Sequence, residues 1–341
     1  MVGMTTRERV MAAVKGEPVD RVPASFFEFN HLAERSSDMT AANLLEQNSR
    51  YNWDFIKVNL RSSYYAEAWG CKYRWDPQKG SLQQVDHVIK SASDFRKLED
   101  LDPTKGVFGD QVRVAKLLGE ALKGSTPYVQ TVYTPLSVAA RLAGAKVGPS
   151  ESDEIRQFMR EDPEALHDGL QVITQTLADY AKEAIRAGAD GIFLATTMWS
   201  RDTITEEDYK IFGRTYDLPI LEAVIQEGAT FNVLHLCREN IMFDLLSDYP
   251  VQVINYDALS PRNPSLREAM GRTDKALWGG VDHKVTLLKG PVSQVVAEVQ
   301  AALEQTGGKR LFIGPGCATQ SQVPEAYLLA IKKVLSTWEM S

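Results

Sequence analysis

The residues of this sequence that are best suited to metal chemistry are a histidine and two cysteines that follow apolar runs. His235 and Cys237 end the run that begins at Phe231, and Cys317 ends a second run that begins at Leu311. Successive side chains of a strand point to opposite faces, so residues 235 and 237 share a face. One imidazole and two thiols form a three-ligand set with an open position, which is typical of a catalytic zinc ion rather than a structural one.

These three side chains can meet only if both runs are strands of one sheet. We predict eight short apolar strands, mostly separated by helices, at residues 21–27, 53–58, 127–133, 188–195, 231–237, 251–255, 276–280 and 311–317. Short buried strands that alternate with helices indicate parallel βαβ units, and eight of them predict a (β/α)8 TIM barrel. A doubly wound open sheet is the structural alternative, but no glycine-rich fingerprint follows the first strand.

We expect a single domain over residues 1–341, with a helical decoration at the N-terminus. Thr5 and Glu8 have the spacing of a capping box that opens this first helix. After the second strand, the tyrosines and tryptophans between residues 64 and 89 predict an aromatic-rich antiparallel insertion over one mouth of the barrel.

Barrel enzymes carry their active sites at the carboxyl ends of the strands. That edge would also carry Asp257 after the sixth strand and Asp282 after the seventh, each a candidate fourth zinc ligand or proton donor. The rim residues that we predict to bind substrate are Phe29, Tyr65, Tyr133 and Trp199. Aromatic clusters are nevertheless core more often than binding surface, and free cysteines are among the most buried residues.

Two further residues of metal-ligating type are predicted to lie outside the ligand set. Cys71 lies in the aromatic insertion, without a second ligand nearby in the sequence, and we expect it to be structural. His283 lies beside Asp282 and is expected at the surface or as a support of the site.

The charge and composition of the chain limit the classes of partner that it can bind. A net charge of −7 disfavours nucleic acid and anionic membranes, and there is no apolar run long enough for a membrane span or a signal peptide. Three cysteines are an odd number that does not predict a disulfide framework. We therefore expect a cytoplasmic protein whose thiols serve as metal ligands, reactive groups or small buried side chains.

Over essentially its full length the chain resembles the uroporphyrinogen decarboxylase superfamily, whose fold is a (β/α)8 barrel. The stretches that carry this resemblance are Arg-Val-Pro at 21–23, Tyr-Thr-Pro-Leu-Ser at 133–137, Gly-Ala-Asp-Gly-Ile-Phe at 188–193 and Gly-Gly-Val-Asp at 279–282. The decarboxylases themselves carry an Arg-Gln-Ala-Gly-Arg segment after the first strand, whose arginines hold the substrate propionates. Residues 28–35 read Glu-Phe-Asn-His-Leu-Ala-Glu-Arg instead, so we do not expect uroporphyrinogen decarboxylation.

The other branch of the superfamily contains corrinoid-dependent methyltransferases similar to the methylcobamide:coenzyme M enzymes. Their zinc signature is His-X-Cys, a long spacer and a further Cys. His235, Cys237 and Cys317 match it residue for residue, whereas Arg238 stands where relatives often have glycine. The resemblance therefore implies a zinc enzyme that works with a corrinoid carried by a partner protein.

Two directions of methyl transfer remain open. Because the first rim is rich in aromatic residues, the sequence favours transfer from a methylated, methoxyaromatic substrate to a cob(I)amide protein, as in an O-demethylase component. The alternative is transfer from a methylcorrinoid to a zinc-activated thiol such as coenzyme M. Two further readings are a decarboxylase and a metal-free relative that only binds a tetrapyrrole or corrinoid partner.

Overall fold

The computed structural model describes residues 3–145, 153–198, 200–319 and 323–338. Its strands are β1 (Ile56–Val58), β2 (Lys72–Asp76), β3 (Ser81–Asp86), β4 (Tyr128–Tyr133), β5 (Gly191–Thr196), β6 (Val233–Leu236), β7 (Val253–Tyr256), β8 (Ala276–Val281) and β9 (Leu311–Pro315). Strands β1 and β4 to β9 form one sheet in chain order, and every neighbouring pair is parallel. Seven of the eight predicted strands are therefore confirmed.

Two α-helices precede the sheet along the chain, and at least one follows each of its strands. The α-helices are α1 (Thr6–Lys15), α2 (Ser37–Tyr51), α3 (Tyr64–Ala68), α4 (Gly106–Leu122), α5 (Pro135–Leu142), α6 (Asp153–Glu161), α7 (Pro163–Arg186), α8 (Glu206–Tyr209), α9 (Thr215–Gln226), α10 (Phe243–Leu246), α11 (Leu266–Met270), α12 (Thr286–Lys289), α13 (Val292–Thr306) and α14 (Glu325–Thr337). The predicted capping box opens α1, where the Thr5 and Glu8 side chains each bond the other residue's backbone N–H.

The first predicted strand, at residues 21–27, is wrong as a strand, because this segment forms only isolated bridges. Ser25 N donates to Ile313 O of β9 at 3.0 Å, and on the other side Asp54 N donates to Ala24 O at 2.9 Å. The buried Asp54 carboxylate accepts from Ala24 N at 2.8 Å and from Arg21 Nη1 at 2.7 Å. These side-chain bonds replace a regular ladder, and the segment links the two edges of the sheet.

The sheet curls around a cluster of apolar side chains, here called the inner cluster. Its members include Val10, Phe27, Phe55, Val129, Phe193, Phe231, Val233, Val253, Ala276, Trp278 and Phe312. The ring of Phe55, just before β1, lies 5.1 Å from the ring of Phe231, just before β6, and 5.6 Å from that of Phe312 in β9. Strands that are not neighbours thus share one interior, which requires a strongly curved sheet.

The stretch after β1 contains α3 and an antiparallel hairpin of β2 and β3. Tyr64 and Tyr65 lie in the helix rather than in the hairpin, and both are buried. Within residues 3–145, 153–198, 200–319 and 323–338, no helix combines the length and apolar character needed to cross a membrane.

Candidate metal centre

The carboxyl edge of the curled sheet brings the three predicted ligands together. His235 lies in β6, Cys237 follows that strand directly, and Cys317 lies two residues beyond β9. The Nε2 atom of His235 is 3.5 Å from Sγ of Cys317, and one ligand atom from each of the three residues lies within 4.8 Å of the others. Two strands separate β6 from β9 in the sheet, so its curvature creates this cluster.

The imidazole of His235 is oriented by Asn255, one strand away. Its Nδ1 lies 2.6 Å from Asn255 Oδ1, and Asn255 Nδ2 donates to Trp278 O at 2.9 Å and to Pro315 O at 3.1 Å. Because the amide nitrogen is occupied by two carbonyls, Oδ1 must accept from Nδ1–H. The lone pair of Nε2 then points toward the cysteines, the tautomer that a metal ligand needs.

The backbone that carries Cys317 approaches the neighbouring strand closely because Gly316 has no side chain. A Cβ at this position would lie 2.5 Å from the Cα of Asp257. The Gly-Pro-Gly-Cys turn therefore has a steric reason for its glycine, which a sequence pattern alone does not reveal.

The thiol of Cys317 is activated by its neighbours. A hydrogen bond from Cys237, the nearby charges of His235 and His283, and a hydrogen bond with His235 together hold its pKa well below the usual range, although burial opposes them. A thiolate is the form that binds metal and acts as a nucleophile. Nitrogen and sulfur donors in this number fit a zinc ion that keeps one coordination position open.

The two predicted aspartates differ in their surroundings. Asp257 follows β7 and is buried against the cysteine turn, where Lys284 Nζ lies 3.0 Å from its Oδ2 atom. Asp282 instead accepts from the backbone N–H groups of Lys284, Val285 and Thr286 at 2.7 to 3.1 Å, bonds that hold the loop before α12. Neither belongs to the metal-ligand group formed by the described residues, and their catalytic roles stay predictions.

The predicted substrate-binding aromatics differ in their burial and contacts. Tyr65 is 1% exposed, with its ring 4.6 Å from that of Tyr133. Tyr133 ends β4 and is half-buried; burial first, then Tyr65 and the charges of the two site cysteines, raise the pKa of its phenol. Phe29 is half-buried and stacks on His31, whereas Trp199 lies outside the described residues. Tyr133 is thus the described member of the set whose pKa responds to the charges of both cysteines, and its substrate-binding role stays a prediction.

Cys71 and His283, which were predicted to lie outside the ligand set, differ in their burial and surroundings. Cys71 is 5% exposed in the apolar core, and burial raises its pKa, as expected of a structural cysteine. His283 is half-buried, and its Nδ1 atom is buried without a hydrogen-bond partner among the described residues. Its charge is one of the causes that lower the pKa of Cys317, and its role as a support of the site stays a prediction.

Sequence reasoning missed two polar residues near the centre, Asn255 and Lys57. Both lie in strands that were predicted as apolar runs. The available signal was a polar residue within or at the end of a buried strand. Such a residue is costly to bury unless it forms hydrogen bonds or ion pairs. Its presence in a buried strand therefore suggests a structural partner or a functional role.

A family model described as Uroporphyrinogen decarboxylase (URO-D) matches residues 5–338, and the protein belongs to this family. The resemblance inferred from the sequence is thereby confirmed. A solved structure, a methyltransferase from Methanosarcina mazei, shares the fold with a TM-score of 0.83 at 21% identity, over 97% of this chain and 98% of the other.

Two curated relatives are similar along most of the chain. A methylcobamide:CoM methyltransferase of Methanosarcina acetivorans is 24% identical, and the match covers 96% of each chain. A methylated-thiol–coenzyme M methyltransferase of Methanosarcina mazei is 22% identical, over 97% of this chain and 90% of the relative.

Proposed function

We propose that this protein is a zinc-dependent methyltransferase that moves a methyl group from a corrinoid on a partner protein to a thiol. The observation that carries the proposal is the meeting of His235, Cys237 and Cys317 at the carboxyl edge of the sheet. Zinc bound there would keep a substrate thiol deprotonated near neutral pH and thereby make it a nucleophile. The partner's corrinoid would supply the methyl group and keep the electron pair of the carbon–cobalt bond, while the substrate sulfur would form the new bond to carbon and the thiol proton would pass to solvent.

The names of both curated relatives support the thiol direction. One name specifies a methylcobamide and CoM, and the other a methylated thiol and coenzyme M. The preference for a methoxyaromatic substrate depended on aromatic residues at the first rim. Those residues are largely core: Phe26, Phe27, Tyr64 and Tyr65 are each at most 8% exposed. The thiol-accepting alternative therefore replaces the methoxyaromatic preference.

The chain's own residues would hold and orient the reacting groups. Asn255 fixes the tautomer of His235, and the ring of Phe193 stacks on that imidazole with the centroids 5.0 Å apart. We further propose that Tyr133 and Asp257 face the reacting sulfur, because the first senses the charges of both cysteines and the second contacts the cysteine turn. Neither would need to change protonation state for the methyl group to move.

We also infer that the curled sheet is a (β/α)8 barrel in which residues 23–25 take the eighth position. Their hydrogen bonds to β9 and to Asp54 support this reading. A single cytoplasmic domain over residues 1–341 is part of the same proposal.

The function is tested in two steps. Zinc-reconstituted protein is expected to hold about one zinc per chain, which Cys237→Ala and Cys317→Ala should lose. Cys71→Ala serves as the matched control, because Cys71 lies in the core away from the centre. Wild-type protein that binds no zinc under these conditions would contradict the proposal.

The direction of methyl transfer is then measured with free corrinoids. The enzyme is expected to consume methylcobalamin when coenzyme M or another thiol is added, as followed by the corrinoid absorption spectrum. If methylcobalamin instead forms from cob(I)alamin and a methoxyaromatic compound, while thiols do not react, the proposed direction of methyl transfer is wrong.

A further inference from the structure

A buried lysine lies inside the curled sheet, close to the metal centre. Lys57 belongs to β1 and is 6% exposed. Its Nζ donates to Asn59 Oδ1 at 2.5 Å and lies 4.9 Å and 4.8 Å from the ring centroids of Phe27 and Phe193. Across residues 3–145, 153–198, 200–319 and 323–338, no carboxylate lies within ion-pair distance of it, although the charge of Glu34 acts on it from farther away.

The position of Lys57 is unfavourable for stability alone. A buried ammonium without an ion-pair partner costs more than an apolar side chain of the same length, and two aromatic faces and one amide oxygen offset only part of that cost. Burial accordingly lowers the pKa of Lys57 to about 7, although the charges of Cys317 and Glu34 oppose the shift. An ionisable side chain buried at such a cost, beside a site with ligating residues, indicates a functional role.

Lys57 is coupled to the metal centre through space and through one shared neighbour. The ring of Phe193 contacts the lysine and also stacks on the imidazole of His235, at an interplanar angle of 23°. The negative charge of Cys317 acts on Lys57 and favours its charged form. In an apolar interior such an interaction is screened far less than in water.

The balance of charge at the centre indicates what this cation could serve. Two thiolates and a neutral imidazole cancel the charge of one zinc ion, so the ligand set alone needs no counter-ion. A substrate that binds as a thiolate would add one uncompensated negative charge to a buried site. Lys57 is a buried cation inside the sheet whose charge interacts with that of Cys317, so it can offset part of this charge.

We propose that Lys57 is a positioning residue that supplies the counter-charge for a substrate bound as a thiolate, so that the site selects anionic over neutral ligands. The inference rests on the proposed function. The cavity that Lys57 lines has a volume of only about 10 Å³. The lysine therefore acts through its field rather than by direct contact with the tail of the substrate.

The test compares an anionic ligand with a neutral one at the same metal. Protein loaded with cobalt(II) is titrated with 2-mercaptoethanol and, separately, with imidazole, and binding is followed by visible absorption of the cobalt. In Lys57→Met we expect the thiol to bind about tenfold more weakly or worse, with imidazole binding within about twofold of wild type. A merely structural role would weaken both ligands together.

Lys332→Met is the matched control. Lys332 is half-buried on α14 and donates to the carbonyl of Tyr51, away from the centre. It should change neither titration. Lys57→Gln, which keeps a polar group for Asn59, replaces Lys57→Met if the latter does not fold.

Two results with Lys57→Met would overturn the role of Lys57 alone. One is an equal loss of affinity for the thiol and for imidazole, and the other is an unchanged affinity for the thiol. If wild-type protein binds cobalt and imidazole but no thiol, the proposed function itself fails, and the inference fails with it. The outcomes are therefore distinguishable.

Discussion

Asn255 Oδ1 accepts a hydrogen bond from Nδ1 of His235 at 2.6 Å, while the amide nitrogen of the same asparagine is bonded to two backbone carbonyls. The side chain of Asn255 is thus fully defined by its partners and is completely buried. It connects strands β7, β8 and β9 to one imidazole of β6, and it decides which nitrogen of His235 faces the cysteines.

Replacement of this asparagine should weaken metal binding without removing a ligand. For Asn255→Ala we expect a loss of about 10- to 100-fold in zinc affinity, because the imidazole loses its orientation. Competition with a chromogenic chelator measures this affinity. Asn232→Ala is the control, because Asn232 is equally buried in the sheet but accepts from Ile192 N instead. Equal zinc affinity in the two variants would argue against an orienting role.

Gly316→Ala should disturb both the turn and the metal centre. The added methyl group would lie 2.5 Å from a backbone atom of Asp257, so the turn that carries Cys317 must move. We expect about 1–3 kcal/mol of destabilisation and a reduced zinc content, measured by denaturant unfolding and metal analysis. Gly271→Ala should be nearly neutral, because its Cβ would meet only Glu268 O at 3.4 Å. Full zinc content in Gly316→Ala would contradict this prediction.

The reactivity of the cysteines in metal-free protein should follow their surroundings. The pKa of Cys317 lies well below its usual value and that of Cys71 above it. Alkylation by iodoacetamide at pH 7 should therefore modify Cys317 first, as mass spectrometry of peptides can measure. The rate at Cys317 should change little between about pH 7 and 9, since the thiolate is already formed, whereas an ordinary thiol accelerates as it ionises. Faster alkylation of Cys71 would show that the assignment is wrong.

Stability should depend on pH through Asp217, which is fully buried on α9. Burial raises its pKa to about 7, although hydrogen bonds from Tyr209 and Tyr249 oppose the shift. The native state therefore keeps a proton that the unfolded state releases near pH 4, and this contribution to stability is lost as the pH rises from about 4 to 7. Thermal unfolding should show wild type falling relative to Asp217→Asn between about pH 4 and 7. A difference that stays constant over that range would rule out the raised pKa.

Much of the architecture follows from local patterns. Short apolar runs between helical segments predicted seven strands correctly, because buried parallel strands need apolar residues on both faces. The segment at residues 21–27 has the same composition but is no strand. Pro23 cannot donate to a ladder, and the Asp54 carboxylate takes the N–H of Ala24. A side chain 30 residues away thus decided the outcome.

The sequence by itself determined the chemical identity of the candidate site. Residue type, the period of two along a strand, and position at strand ends were enough to select His235, Cys237 and Cys317, because these properties are local. Which aromatic residues face the site, and which polar groups support it, only the tertiary structure decided. Asn255 meets His235 because the two residues are paired in register on neighbouring strands, and Lys57 of β1 meets the ring of Phe193 on β5 because the sheet curls. Neither relationship can be read from spacing along the chain.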